Sequence, residues 1–154
     1  MFAQHIIADA PLGAIVRFSD GTPRPPDRFR RKLSDWITRN DKGRLIRKDP
    51  AFDRGSYHYS GGFGLLIGDY GLKMVEAARL TRHFDVGCQL NFEIVEVPPP
   101  GSVRILVPSG DAEELEHLAV DMAAAQVWMM EQGFSRARLE TVDDLPVGPL
   151  RYRQ

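Results

Sequence analysis

Residues 17–48 read RFSDGTPRPPDRFRRKLSDWITRNDKGRLIRK, and this stretch determines most of what the sequence predicts about the fold. It carries eleven Lys or Arg residues and four Asp residues, a net charge of +7. The other 122 residues carry nine basic and 17 acidic residues, a net charge of −8, so the overall charge of −1 hides a strongly polarised molecule. Such a basic segment is typical of a surface that meets nucleic acid, another polyanion or an acidic protein.

The pattern inside this stretch predicts a helix over residues 27–40, with Asp27 as its N-cap and apolar residues on one face. Those apolar residues are Phe29, Leu33, Trp36 and Ile37. Asp35 lies four residues from both Arg31 and Arg39, which favours weak intrahelical ion pairs. Gly43 is expected to end the helix, and residues 44–48 to form a strand with Leu45 or Ile46 inward and the basic side chains solvated.

Outside this stretch, hydrophobic periodicity and turn residues predict further elements. We expect strands over residues 2–8, 12–18, 61–68, 72–84, 88–97 and 138–142, with residues 103–107 as the partner strand of 88–97. Residues 49–60 read as a loose connection and residues 69–71 as a turn. A long helix is expected from Asp111, with Glu114 completing a capping box, to Gly133.

These elements together predict a single α+β domain over residues 1–142. Its core would be a mainly antiparallel, twisted sheet, because several predicted strands follow one another with short turns between them. The long helix would cover one face of that sheet, and the short basic helix near the N-terminus would lie at its side. Residues 143–154 contain two prolines and a glycine and read as a loosely held tail.

Composition narrows the class of protein further. The one cysteine, Cys88, cannot form an intramolecular disulfide, so nothing favours secretion. Residues 1–7 lack the cationic start and long apolar run of a signal peptide, and no apolar run is long enough to cross a membrane. We therefore expect a cytoplasmic protein that does not enter the membrane.

The basic stretch is the main candidate site, because cations on a short helix and the following strand can neutralise phosphates. The sequence predicts a non-enzymatic protein that contacts nucleic acid through residues 28–48 with little sequence specificity. The predicted contact residues are Arg28, Arg31, Lys32, Arg39, Lys42, Arg44, Arg47 and Lys48. Tyr57, His58 and Tyr59, together with Phe63, could add a surface on which bases stack.

Signals for catalysis or metal binding are weak. The four histidines, His5, His58, His83 and His117, are far apart and lack zinc-ligand spacing. Residues 61–64 are glycine-rich but lack the Lys and Ser or Thr of a phosphate-binding loop. A triad of His58 or His83 with Asp69, Asp85 or Cys88 could form only through the fold, not through sequence spacing. The sequence therefore predicts no catalytic residues, no metal and no cofactor.

Two alternatives use the same basic residues. In the first, the chain is an inhibitor or adaptor, and the cations steer it towards an acidic partner protein. In the second, the basic region of one copy meets the acidic remainder of another, which would make a homo-oligomer. An exposed apolar patch beside the cations would favour the first alternative, and a pocket with converging titratable groups would favour an enzyme.

The sequence also resembles a family of small bacterial proteins of unassigned function, similar to open reading frames carried on plasmids or other mobile elements. The resemblance lies in the motifs Gly21-Thr22-Pro23, Pro25-Pro26, Arg28-Phe29, Arg31-Lys32-Leu33, Trp36 and Gly43-Arg44-Leu45, with support from Phe92-Glu93-Ile94-Val95-Glu96 and the Ala-rich segment before Gly133. It provides no catalytic residues to carry over. It implies a setting in which host interaction, regulation or DNA maintenance is expected.

Overall fold

The computed structural model describes residues 1–67, 80–133 and 136–143. The elements are α1 (Ala3–Asp9), β1 (Ile15–Ser19), α2 (Arg30–Arg39), β2 (Asp41–Asp49), β3 (Phe52–Arg54), β4 (Tyr57–Tyr59), β5 (Gly62–Ile67), β6 (Leu80–Asp85), β7 (Asn91–Glu96), β8 (Val103–Ser109), β9 (Ala112–Ala119), α3 (Met122–Gln132) and β10 (Arg138–Thr141). The strand pairs of these residues are antiparallel, so the predicted α+β class with a mainly antiparallel sheet is confirmed.

Strand β2 is the centre of a five-stranded sheet with the order β6-β5-β2-β1-β7. Strand β1 lies between β2 and β7. Its Val16 pairs with Gly43 of β2 on one side and with Ile94 of β7 on the other. Leu45 and Ile46 are both buried although they are adjacent, because successive side chains of a strand point to opposite faces. The central strand therefore supplies side chains to two separate cores.

Helix α1 covers one face of this sheet, where the sequence predicts a strand over residues 2–8. That prediction is wrong because Ala3, Ile6 and Ala10, all fully buried, recur at helical spacing and Pro11 follows them. Their partners in the sheet include Val16, Phe18, Leu45, Phe63, Leu65, Phe84, Phe92 and Ile94. This is the main hydrophobic core.

The opposite face of the sheet packs on a second, three-stranded sheet with the order β10-β8-β9. Ile46 and Leu66 of the first sheet contact Leu106 and Leu115 of the second. The sequence predicts that residues 103–107 pair with residues 88–97, and this is wrong. β7 pairs with β1, whereas β8 pairs with β9 and β10.

The predicted long helix from Asp111 to Gly133 is also wrong in its first half. Gly110, with φ of 60°, turns the chain into β9, and pairing with β8 overrides the helix propensity of Glu113, Glu114 and Glu116. The helix that does form, α3, begins after Asp121, whose carboxylate accepts a hydrogen bond from the Ala124 amide at 2.7 Å. Gly133 ends it with φ of 70°, as predicted. A single long helix covering the sheet is therefore not part of the fold, and α3 packs on the second sheet.

Helix α2 begins later than predicted. Pro26 and Phe29 close a turn through a backbone hydrogen bond of 3.0 Å, so Phe29 rather than Asp27 is the N-cap. Asp27 instead pairs with Arg24 at 3.0 Å. Gly43 does not cap the helix but lies in β2, where a Cβ atom would come within 2.8 Å of the Leu66 carbonyl oxygen.

Most of the other predicted strands are present with shifted ends. They are β1 for residues 12–18, β2 for 44–48, β5 for 61–68, β6 for the end of 72–84, β7 for 88–97 and β10 for 138–142. The predicted loose connection of residues 49–60 contains the hairpin of β3 and β4. The predicted turn at 69–71, residues 72–79 and the tail beyond residue 143 lie outside the described residues.

Candidate functional site

The strand half of the predicted basic segment is held by the chain itself. Arg44 Nη1 donates a hydrogen bond to the Gly13 carbonyl oxygen at 2.7 Å. Lys48 is half-buried, and this burial lowers the pKa of its amine, with the nearby charge of Arg104 acting in the same direction and Asp9 opposing both. The expectation that the basic side chains of β2 are solvated is therefore wrong for these residues.

Arg47 is tied into the fold even more closely. Its Nε lies 2.5 Å from Asp49 Oδ1, its Nη1 donates to the Ser109 hydroxyl, and Glu114 Oε2 is 3.9 Å away. These partners come from β2, β8 and β9, so the guanidinium links the two sheets. A phosphate would have to displace at least one carboxylate from it.

The helix half of the segment has a different environment. Arg28, Arg31 and Lys32 are exposed, and so is Arg30, which the predicted set does not include. Within the described residues no carboxylate lies within 4 Å of these four cations. Arg28 and Lys32 rest on the Phe29 ring, 4.8 and 5.2 Å from its centroid. We refer to Arg28, Arg30, Arg31 and Lys32 as the basic helix surface.

The predicted ion pairs of Asp35 with Arg31 and Arg39 are absent from the described part of the chain. Arg39 instead contacts Asp20, with its Nε 3.3 Å from Oδ2. Two hydrogen bonds from Thr22 are the main reason that the pKa of Asp20 falls from 3.8 to about 2, and Arg39 adds to the effect. Arg39 is thus partly neutralised, while Lys42 is exposed near the start of β2.

The start of α2 concentrates positive charge. Its first turn contains three basic residues and no acidic one, and its N-cap residue, Phe29, makes no side-chain hydrogen bond to the free amide groups. Because the N-terminus of a helix carries a partial positive charge, these residues add to the dipole instead of offsetting it. The end of α2 is anchored, since Trp36 Nε1 donates to the Thr22 carbonyl oxygen at 3.0 Å and Arg82 donates to the Thr38 carbonyl oxygen.

The predicted stacking residues lie elsewhere, in the hairpin of β3 and β4. Tyr57 is exposed, His58 contacts Asp53, and Tyr59 is half-buried. Phe63 is fully buried in the main core and cannot stack on a ligand. An open pocket of about 400 Å³ lies beside the hairpin, and we call it the hairpin pocket. It is lined by Arg47, Asp49, Pro50, Phe52, Tyr57, Tyr59, Gly110, Asp111 and Ala112.

A Tyr–His contact adjoins this pocket through Tyr59, which is one of the lining residues. The Tyr59 hydroxyl and His83 Nε2 are 2.8 Å apart, while His83 Nδ1 is 3.7 Å from Asp49 Oδ2. Burial raises the pKa of the Tyr59 phenol, and the negative charges of Asp49 and Asp85 raise it further. Gly62 lies beneath the contact, with no side chain to separate the two rings. Sequence spacing could not reveal this cluster, because its members come from β2, β4, β5 and β6.

The basic helix surface and the hairpin pocket are separate. Strand β2 starts at Asp41, directly after α2, and ends at Asp49 in the pocket. Eight residue steps at the usual rise of a strand correspond to about 26 Å. The cations of the basic helix surface and the predicted stacking residues therefore do not form one continuous surface, whereas Arg47 of β2 does line the hairpin pocket.

The remaining candidate groups have structural surroundings. Cys88 packs against the main core, and the His117 ring stacks on Trp128 with 4.8 Å between centroids. Of the predicted triad contacts, that of His83 with Asp85 is present at 3.4 Å, whereas Asp69 lies outside the described residues. The described residues contain no group of three His, Cys, Asp or Glu side chains arranged to hold a metal ion.

In the described ranges, no helix combines the length and the apolar character needed to span a membrane.

Comparison with known proteins identifies the family but not an activity. No curated protein and no solved structure is significantly similar to this chain. The predicted bacterial and mobile-element origin stays a prediction. A family model matches residues 1–145, and the chain therefore belongs to the family described as uncharacterised conserved protein UCP036055.

Proposed function

We propose that this protein binds the phosphate backbone of nucleic acid through the basic helix surface, with little sequence specificity. The supporting observation is that four neighbouring cations, Arg28, Arg30, Arg31 and Lys32, are exposed and lack a carboxylate within 4 Å in the described part of the chain. Most other arginines of the described residues have a carboxylate or a carbonyl oxygen as partner. A cluster of cations without counter-ions in the protein favours a polyanionic ligand.

The contact set is smaller than the predicted one. The cations of β2 at Arg44, Arg47 and Lys48 already bind groups of the chain or are half-buried, so we place the phosphate contacts on the helix. Phosphate contacts fix the position of a protein on nucleic acid but do not read its sequence. The proposal therefore expects similar affinities for different sequences.

Fluorescence anisotropy with labelled DNA and RNA over a salt series tests this proposal. Four phosphate contacts on duplex DNA give a slope of log K against log salt of about −3.6, which corresponds to about 150-fold weaker binding at 200 mM than at 50 mM salt. Each cation removed should bring the slope about one unit closer to zero.

The key variant carries Arg30→Gln and Arg31→Gln. Its matched control carries Arg54→Gln and Arg138→Gln, which removes the same charge from two exposed arginines that have carboxylate partners. The first variant should lose about two units of slope, whereas the control should keep nearly the full slope. Equal losses in the two variants would show a non-specific charge effect and contradict the proposed surface.

A second candidate function, docking on an acidic protein, is favoured by a different observation. Phe29 and Ile37 are large apolar residues of α2 that remain exposed beside the cations. Cations around exposed apolar side chains are a common arrangement at protein interfaces. Capture of a partner that is lost in both Ile37→Ser and the Arg30→Gln, Arg31→Gln variant would support this function. Loss in only the charge variant would favour nucleic acid, because Ile37→Ser leaves the cations in place.

A further inference from the structure

The hairpin pocket has walls of aromatic rings that are open to solvent. Phe52 lies between Tyr57 and Tyr59, with ring centroids 6.0 and 5.3 Å apart. Tyr57 is 60% exposed. An aromatic ring this exposed leaves a large apolar area in contact with water. The faces of such rings carry negative electrostatic potential and attract cations.

The ionisable groups of the pocket are mostly acidic. Asp49, with 17% of its side chain exposed, and Asp111 line it, and Glu114 lies 3.9 Å from the Arg47 guanidinium. Asp49 and Glu114 contact Arg47, whereas Asp111 contacts Arg54, so these three carboxylates and two guanidiniums carry a net charge of −1. The pocket therefore repels phosphate and attracts a cation.

The chain already places one of its own cations at this rim. The Arg54 guanidinium carbon lies 5.3 Å from the Phe52 centroid, and its Nη2 is 3.7 Å from Asp111 Oδ2. Its side chain is 75% exposed, and ion pairs this exposed hold weakly. An incoming cation can therefore take over both the aromatic face and the carboxylate.

We propose that the hairpin pocket binds an organic cation with a methylated or quaternary ammonium head group. A volume of about 400 Å³ accommodates such a group, and aromatic walls with nearby carboxylates provide its two main attractions. The head group can belong to a free small molecule or to a methylated lysine of a protein. This inference is independent of the proposed nucleic-acid binding, because the two sites lie at opposite ends of β2.

Titration calorimetry with choline tests the site, and 3,3-dimethylbutan-1-ol, which has the same shape without the charge, is the matched ligand. Choline should bind at least 10-fold more tightly than the uncharged analogue. Tyr57→Leu should weaken choline binding about 2- to 5-fold, the effect expected for one aromatic face at an exposed site. Phe2→Leu, which changes an aromatic residue that is 59% exposed in another part of the chain, should have no effect.

Arg54→Ala is the most informative variant, because it removes the guanidinium that competes with the ligand for the Phe52 ring and the Asp111 carboxylate. Choline affinity should rise in Arg54→Ala and fall in Asp111→Asn, while circular dichroism confirms that both exposed-site variants remain folded. Equal binding of the charged and uncharged ligands, or weaker choline binding in Arg54→Ala, would overturn the inference. So would the absence of any binding of choline and of a trimethyllysine peptide. Tighter binding of the trimethyllysine peptide than of choline supports the site and identifies a protein as the source of the cation, and the reverse supports a free small molecule.

Discussion

Replacing Gly62 with alanine tests how closely β5 approaches β6 and the hairpin. A Cβ atom at this position would lie 2.6 Å from the Phe84 carbonyl oxygen and 2.7 Å from both His83 Nε2 and the Tyr59 hydroxyl oxygen. The carbonyl oxygen belongs to the backbone of the paired strand, so it cannot move without shifting β6. The two side-chain atoms could move apart only by losing their mutual hydrogen bond.

The expected cost has two parts. Forcing an extra methyl group into a packed site typically destabilises a protein by about 1–3 kcal/mol. Losing the hydrogen bond between Tyr59 and His83 costs about 0.5–1.5 kcal/mol more. We therefore expect Gly62→Ala to lower the free energy of unfolding by about 2–4 kcal/mol.

Urea unfolding followed by circular dichroism measures this change. Gly64→Ala is the matched control in the same strand, because a Cβ atom there would meet only side-chain atoms at 3.4 Å or more. That substitution should be neutral or stabilising by up to about 1 kcal/mol, since it restricts the unfolded chain. Equal free energies of unfolding for Gly62→Ala and Gly64→Ala would contradict the close approach of β4, β5 and β6 at Gly62.

Three further predictions concern the helices and the turn before α2. Asp121→Ala should lower the free energy of unfolding by about 1 kcal/mol in urea unfolding, because the Ala124 amide loses its cap, and Asp121→Asn should recover most of it. Arg31→Glu should stabilise α2 by about 0.3–1 kcal/mol through the helix dipole and raise the melting temperature, while nucleic-acid affinity falls; a lower melting temperature would contradict this. Because folding lowers the pKa of Asp20 from 3.8 to about 2, its contribution to stability is present above about pH 4 and is lost as the pH falls towards 2. The stability difference between wild type and Asp20→Asn should shrink over that range in urea unfolding at each pH, and a constant difference would contradict the assigned hydrogen bonds.

Local pattern was sufficient for the fold class and for several strands of this protein, but not for how the strands pair. Residues 112–119 contain good helix formers, yet they form β9, because pairing with β8 and burial of Leu115 outweigh intrinsic propensity. Residues 2–8 contain two isoleucines that favour a strand, but the spacing of Ala3 and Ile6 matches the face that α1 buries. Consecutive strands often pair, but β7 and β8 do not: β7 is in the five-stranded sheet and β8 is in the three-stranded sheet.

The candidate site, like the fold, could be predicted from the sequence only in part. Exposure of Arg31 and Lys32 could be predicted from their position on one side of a short helix, whereas Arg28 lies in the turn before it. The partners of Arg44 and Arg47 could not, because Gly13 and Ser109 are about 30 and 60 residues away in the chain. The same holds for the hairpin pocket, whose walls come from separate strands and the turn between β8 and β9.

The two-sided burial of β2 has a consequence for how this protein unfolds. Leu45 contributes to the core under α1 and Ile46 to the core between the sheets, so opening β2 exposes apolar surface in both cores at once. Amide protons of β2 that bond to β1 and β5 should consequently exchange with solvent only through global unfolding, more slowly than those of the hairpin. A chain built around such a strand loses its two sheets in one cooperative step, and partly folded forms that keep only one of them should be sparsely populated.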